Sequence, residues 1–342
     1  MKAIILAGGL GTRLKSVTGE HPKPMAQLLG RPLMEHIVQL LRENGFDEIC
    51  CTLRYRAGEI MAHFGDGRSF GVSMQYRIET GPLGTAGSVG GCRDFVGGED
   101  VLVVSGDAAC DFSLRTLYDE HRRREAAATI ALCRSAVPLR YGLAVTDAEG
   151  DVRAFIEKPA WPQVVTDLVN TGIYVLSPRA LDAIPAEGAF DFGRELFPLL
   201  LKRGERIAGV TLEGYWCDVG TPQAYYRCCA DALEGRLRLT PGEAFRRPPE
   251  AESADEDEEG VCEACACDDR ARLMGTLSEL MLELGAHYDD GIRLEGKGYR
   301  LHISPSAVSS AVRIAVQSED AEFARALCLS ARRLAEAIET GD

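Results

Sequence analysis

Apolar and polar positions alternate along the first 235 residues in a way that predicts strands interleaved with helices. KAIILA (2–7) is a short continuous apolar run and reads as a buried strand. PLMEHIVQLLRENG (32–45) has its apolar residues at helical spacing and ends at Gly45. Strand-like runs recur at 47–55, 72–79, 101–107 and 127–133, with helical patterns at 57–64 and 114–125. VLVVSGD (101–107), rich in valine and apolar on both faces, fits a central parallel strand. After residue 140 the rhythm shortens. YGLAVTD, VRAFIEKP and VNTGIYVLSP read as strands, helices are expected near 178–184 and 191–203, IAGVTLEGYWCDVG (207–220) as strand then loop, and a helix over 222–235. Strands alternating with helices predict an α/β domain with a Rossmann-like, mixed but mainly parallel sheet.

A composition break follows. PGEAFRRPPEAESADEDEEG has almost no large apolar residue, and residues 250–269 hold ten Asp or Glu and no Lys or Arg. Such a stretch cannot bury enough surface to offset the entropy of ordering it, so 238–269 is expected to be an acidic disordered linker. Residues 270–342 turn apolar again and predict a small α+β unit: a helix (271–285), strands at 291–295, 299–304 and 311–316, and a helix over 320–339.

Charge and composition remove several classes. The net charge of −14 disfavours nucleic acid as a partner, because the phosphate backbone rewards clustered Lys and Arg. No apolar run reaches the eighteen residues of a membrane span. The opening apolar stretch gives way to glycines too soon for a signal peptide. Twelve cysteines, including the adjacent pairs Cys50–Cys51 and Cys228–Cys229, suit buried thiols in a reducing cytoplasm better than a disulfide framework. Cys262, Cys265 and Cys267 have a spacing that could bind zinc, but a structural site usually needs a fourth ligand, and His287 and Cys328 are far off in the chain.

The chemistry is concentrated in LAGGLGTRL and the following HPKPM. A buried strand runs into Gly8, Gly9 and Gly11, whose bare backbone lets N–H groups approach phosphate oxygens. Arg13 and Lys23 can neutralise phosphate charge, and Pro22 and Pro24 stiffen the second segment. The loop is not a Walker loop, since Gly11 is followed by Thr12 and Arg13. Nor is it the dinucleotide fingerprint, since Leu14 stands where the third glycine belongs. Asp107, closing the strand VVSGD after a glycine, is well placed to hold Mg²⁺.

With these residues the chain resembles the sugar-1-phosphate nucleotidyltransferase family. GRPLMEHIVQLL (30–41), GPLGTAGSV (81–89), LVVSGDA (102–108), FIEKP (155–159), NTGIYVLSP (170–178) and GYWCDVGTPQAY (214–225) follow the family's blocks in order, over about residues 1–237. The resemblance implies that a sugar 1-phosphate attacks the α-phosphate of a nucleoside triphosphate, giving a nucleotide sugar and pyrophosphate. The nucleophile is already anionic, so charge neutralisation and in-line positioning are needed rather than a general base.

The same resemblance implies the site. Arg13, Lys23 and Asp107 would be catalytic, and Asp107 and Asp218 would hold Mg²⁺. Leu6, Ala7, Gly8, Gly9, Gly11, Thr12, Glu79, Pro82, Gly84 and Thr85, with Gly81 and Ala86 beside them, would line the nucleotide pocket. Gly142, Glu157, Lys158, Asn170 and Thr171 would hold the sugar phosphate: Lys158 on the phosphate, Glu157 on a sugar hydroxyl, Asn170, Thr171 and Gly172 through hydroxyl and amide contacts.

The wording SGDAACDFSL and EGYWCDVGTPQAYYRC is most similar to fused proteins joining a mannose-1-phosphate guanylyltransferase to a phosphomannomutase-like region, which points to GTP and mannose 1-phosphate. The stretch after Arg13 lacks a proline that many members carry, as members handling heptose phosphates also do. Glucose or heptose 1-phosphate, or a non-catalytic nucleotide-sugar sensor, stay open as alternatives, and so does assembly into a homo-oligomer. No residue in the sequence separates guanine from the other bases. DDGIRLEGKGYRLHISPSAVSSAVRI (289–314) resembles the last domain of the phosphohexomutases. Its loop Ser304–Ser310, with Arg313 after it, lacks the family's glycine and Glu-Pro pair, and no mutase phosphoserine loop fits elsewhere, so mutase activity is expected to be absent.

Overall fold

The structure is a computed structural model. It describes residues 1–135, 137–233 and 235–240, and then 260–266, 273–274, 276–277, 287–288, 291–296, 299–305, 311–318 and 320–340.

The centre of the first unit is a mixed sheet of nine strands. β1 (Lys2–Ala7) lies between β4 (Glu48–Leu53) and β6 (Val101–Ser105), parallel to both, and β5 (Ser73–Ile78) runs parallel outside β4. β11 (Leu168–Leu176) joins β6 antiparallel and carries the sheet on to β8 (Ala128–Arg134), β9 (Leu143–Thr146) and β10 (Val152–Ile156). β12 (Ile207–Thr211) closes the far side, parallel to β8.

The continuous apolar character of β1 follows from burial on both faces. Ile5 packs with Met34, Ile37 and Phe64 on one side, and Ile4 with Val89, Val103 and Phe197 on the other. Successive side chains of a strand point to opposite faces, so neighbouring residues feed separate cores. Each such side chain contributes about 1.5–3 kcal/mol on burial.

A third apolar cluster positions the site. Leu14, Leu28 and Leu33 pack with Cys217, Val219 and Cys228, so the helix Pro222–Leu233 ties the glycine loop to the short strand β13 (Trp216–Asp218). β13 pairs with β7 (Ala108–Cys110), a detail hidden in what read as a loop. The helices Gly84–Gly90 and Arg93–Val96 also escaped the periodicity, because GTAGSVG is too rich in glycine to show a helical stripe. The expected helix over 191–203 begins as a π-helical turn, Phe192–Leu196, before the α-helix Phe197–Lys202.

The linker boundary is corrected. Gly260–Ala266 forms strand β14, paired along its length with β18 (Ala311–Ser318), so the segment read as disordered to residue 269 holds an ordered strand. The acidic run stops at Glu259, and the strand after it carries a single charge, Glu263, among small and apolar residues. An antiparallel sheet follows, in the order β14, β18, β17 (Tyr299–Pro305), β16 (Ile292–Gly296) and β15 (His287–Tyr288). The helix Ala321–Thr340 buries Ala324, Cys328, Ala331 and Ala335 against it, together with Leu273, Met274 and Leu277. Residues 306–310 of the mutase-like loop Ser304–Ser310, and Cys267, lie outside the described residues.

No described helix is long and apolar enough to cross a membrane. Cys50, Cys51, Cys92, Cys110, Cys217, Cys228 and Cys328 are buried free thiols.

Candidate active site

Gly8, Gly9 and Gly11 leave the carboxyl end of β1 and lead into a tight turn, Thr12–Leu14, anchored by the fully buried Leu14. Gly11 has φ +60°, and a Cβ on it would stand 2.7 Å from the Lys23 Cβ, so only glycine lets the two segments cross this closely. Pro22 and Pro24 frame Lys23 in a second turn, Lys23–Met25, that points it inward with its side chain only 8% exposed.

The Lys23 Nζ donates to the Asp107 Oδ2 at 2.7 Å and lies 3.5 Å from the Asp218 Oδ1. Asp107 follows β6 and Asp218 ends β13. Because β13 pairs with β7 in the register Asp218↔Ala108, the two carboxylates face one ammonium. Ser105 donates a short hydrogen bond to the other Asp107 oxygen. Burial pushes the Asp107 carboxyl up, but the Lys23 charge and the hydrogen bonds from Lys23 and Ser105 outweigh it and hold it below the usual carboxylate value. Arg13 belongs to the same group: a Cβ on Gly220 would be 3.2 Å from the Arg13 Nη2 and 3.1 Å from the Asp218 Oδ2.

No set of three or more His, Cys, Asp or Glu suited to a metal occurs among the described residues. Two carboxylates that converge on a single cation nevertheless fit Mg²⁺, which takes oxygen donors and fills its remaining positions with water and substrate phosphate.

Glu79 follows β5, with its N–H donating to the Leu53 carbonyl at 2.8 Å. Its carboxylate leans on Gly8, where a Cβ would meet the Glu79 Oε2 at 3.2 Å. The Glu79 Oε1 is shielded from solvent and has no hydrogen-bond partner among the described residues. Gly84 (φ +71°) starts the helix Gly84–Gly90 pressed on the backbone of Phe190, and the Thr85 hydroxyl donates to the Asp191 Oδ1 at 3.1 Å while accepting from the Phe192 N–H at 3.1 Å. Thr85 therefore ties the start of that helix to the segment at Asp191–Phe192.

Glu157 and Lys158 follow the last residue of β10, Ile156. Lys158 sits at φ +48°, a conformation that a non-glycine residue holds only at a cost. Asn170 lies where the pairing of β11 with β8 slips, beside Gly172 at φ +77°. Its Oδ1 accepts from the Gly172 N–H at 3.0 Å and its Nδ2 donates to the Tyr174 hydroxyl at 2.8 Å.

Thr171 departs from expectation. It is 3% exposed and its hydroxyl donates to the Ala131 carbonyl at 2.7 Å, so it cannot offer that hydroxyl to a sugar. Thr171 shares the buried face of β11 with Val169 and Ile173, an alternation already visible in the sequence. Its carbonyl instead receives the Trp216 Nε1–H at 3.0 Å, and Trp216 packs edge-on against Tyr141 with ring centres 5.2 Å apart. Ser105, Tyr141 and Trp216 are members of this site that motif reading did not single out.

A glycine loop at the carboxyl end of a parallel strand, two cations and two convergent carboxylates, one after β6 and one ending β13, define an enzyme-like site of the nucleotide-handling α/β class. The family profile described as nucleotidyl transferase matches residues 2–235, and the chain belongs to that family. It is 36% identical over 253 residues to the UTP–glucose-1-phosphate uridylyltransferase of Synechocystis, covering 70% of this chain and 65% of that protein, just under two thirds of its length. It is 33% identical over 295 residues to the mannose-1-phosphate guanylyltransferase of Mycobacterium tuberculosis, covering 86% of this chain and 78% of that one. The structure of HddC from Yersinia pseudotuberculosis complexed with GMP-PN matches with a TM-score of 0.58 at 28% identity, over 68% of this chain and 99% of that one.

Proposed function

We propose that the protein joins a nucleoside triphosphate to a sugar 1-phosphate, releasing pyrophosphate, and that its substrates are GTP and mannose 1-phosphate. The observation that carries the reaction class is the single buried Lys23 ammonium shared by Asp107 and Asp218 beside Arg13. Neutralising the charge of a triphosphate and of an attacking phosphate is the main demand of this chemistry.

In this reading the backbone of Gly8–Gly11 cradles the triphosphate, and Arg13 and Lys23 face the charge that builds on the departing pyrophosphate. Lys158 orients the sugar phosphate so that its oxygen attacks the α-phosphorus in line. As the new P–O bond forms, the bond to the bridging oxygen of pyrophosphate breaks. Asp107 and Asp218 would hold Mg²⁺, which when bound adds further charge neutralisation at the transferred phosphoryl group. Glu157 holds a sugar hydroxyl.

Guanine is favoured by the unpartnered Glu79 oxygen. A carboxylate only accepts hydrogen bonds. Guanine presents two adjacent donors, N1–H and N2–H₂. Uracil and thymine offer one N–H between two carbonyls, and adenine pairs its amino group with an acceptor nitrogen. Support for the sugar comes from the Mycobacterium tuberculosis relative, whose name specifies mannose 1-phosphate and the guanylyl group. Mutase chemistry forms no part of this reading.

The test is pyrophosphate release with Mg²⁺, four nucleoside triphosphates crossed with mannose, glucose and heptose 1-phosphates. Release with GTP and mannose 1-phosphate is expected. Preference for UTP and glucose 1-phosphate would overturn the substrate pair and leave the reaction class. No release with any pair, from protein shown to be folded, would overturn the enzyme reading and favour a nucleotide-sugar sensor.

A further inference from the structure

The segment Gly188–Gly193 runs from the stretch Leu83–Gly87, at the proposed nucleotide side, to Glu157, at the proposed sugar side. At one end the Phe190 N–H donates to the Leu83 carbonyl and the Phe190 carbonyl accepts from the Gly87 N–H, both at 2.8 Å. At the other end it enters the π-helical turn Phe192–Leu196, whose start is fastened by the Asp191 N–H donating to the Glu195 Oε2 at 2.7 Å. π-Turns are uncommon and often occur at functional sites. This one brings the Gly193 Cα against the Glu157 side chain.

The contact is too close for any side chain. A Cβ on Gly193 would lie 2.8 Å from the Glu157 Oε2 and 2.7 Å from the Phe155 Cε1. A Cβ on Gly142 would meet the same oxygen at 2.8 Å and the Phe155 Cζ at 2.8 Å. Neither glycine has a positive φ, so backbone conformation does not call for glycine at either position. The space is what demands it. Glu157 forms no hydrogen bond or ion pair with the described residues, so the two bare Cα atoms and the Phe155 ring are what hold its carboxylate in place.

From this we infer that Gly193 is a positioning residue for sugar recognition: by having no side chain, it seats the Glu157 carboxylate toward the sugar hydroxyl. This rests on the proposed role of Glu157 as a sugar ligand. An alanine would push the Glu157 oxygen from 2.8 Å toward the 3.4 Å of ordinary contact and turn it away from its hydroxyl. Displacements of that size at a reacting or binding group carry rate and affinity costs of about 10- to 100-fold.

Four proteins test it: wild type, G193A, E157A and the double variant, each with KM measured for both substrates together with kcat and a melting temperature. The expected result for G193A is a rise of about tenfold in the KM for the sugar 1-phosphate, with the nucleotide KM within about twofold. In the E157A background the alanine at 193 should add nothing, because the group it displaces is gone.

If E157A leaves the sugar KM unchanged, the role of Glu157 itself is wrong. If E157A raises it but G193A does not, or if G193A raises it equally without Glu157, the inference about Gly193 is overturned. Should G193A fail to fold, F155L/G193A makes room on the ring side while the methyl still presses on Glu157, and the same comparison is made from F155L.

Discussion

Replacing Glu79 by glutamine tests the choice of base with the pocket's shape almost unchanged. The Glu79 Oε1 is buried without a partner, and the Oε2 lies against Gly8 at the root of the glycine loop. With guanine in place the carboxylate would accept from N1–H and N2–H₂ together. Glutamine keeps one acceptor and turns an NH₂ toward the other donor.

The loss is then one charge-assisted hydrogen bond, about 1.5 kcal/mol at the lower end, and a buried donor left facing a donor, about another 1.5 kcal/mol. A total of about 3 kcal/mol corresponds to roughly 10²-fold in kcat/KM for GTP. The same glutamine offers an acceptor and a donor side by side, which suits the N3–H and carbonyl of uracil, so kcat/KM for UTP should rise.

Pyrophosphate release with GTP, UTP, dTTP and ATP, all at one sugar phosphate, reads the ratio directly. An unchanged GTP-to-UTP ratio in E79Q would refute the argument. The free enzyme supplies a second check. An unpaired buried acceptor costs the folded state about 1–3 kcal/mol, so E79L should melt no lower than wild type while losing GTP use. If E79L melts well below wild type, Glu79 is a structural residue.

Three further outcomes are expected. K23M should lower turnover by about 10²-fold or more. The same variant should make the melting temperature more responsive to Mg²⁺, since Asp107 and Asp218 lose the ammonium they share; near-normal turnover would contradict the role given to Lys23. K158G should raise the KM for the sugar 1-phosphate while leaving stability equal or higher by up to about 1 kcal/mol, because glycine relieves the left-handed backbone; a clear drop in melting temperature would count against strain there.

His36 and His121 are both buried, and burial pushes each below the ordinary value of 6.5, with Asp100 opposing this at His121. The unfolded chain therefore takes up protons that the folded chain resists, and stability should fall as pH drops through 6.5. Melting temperatures at pH 7.5 and 5.5, for wild type and H36Q/H121Q, check this. A higher melting temperature at pH 5.5, or an unchanged slope in the double variant, would contradict it.

Much of the fold was legible because its rules are local. The apolar run 2–7, the helical stripe of 32–45 and the valine strand at 101–107 each meet one requirement, burial on one face or on two. The strand Gly260–Ala266 was missed because charge density was averaged across a boundary that lies at Glu259. Thr171 was assigned to the sugar because its motif was read as a block. The period of two that groups it with Val169 and Ile173 carried the correct side, toward the core. Gly193 left no signal, because its contact with Glu157 joins positions far apart in sequence and requires a π-turn that periodicity does not show.

Three features of the candidate site stand out from the rest of the fold. Glu79 keeps a buried oxygen unpaired, Lys158 holds a left-handed backbone, and Asp107 and Asp218 crowd around one ammonium. The first two oppose folding locally, and a sequence selected for stability alone would remove them; the third sets two carboxylates side by side, and only the ammonium they share makes that favourable. They persist on a scaffold whose core residues are otherwise consistently buried. Each would be relieved by a different part of one pair of substrates: the donors of a base, a sugar phosphate, and a cation with its phosphates. Features of this kind on a well-packed core point to a binding site without any motif, and they predict that substrates raise the melting temperature more when added together than either does alone.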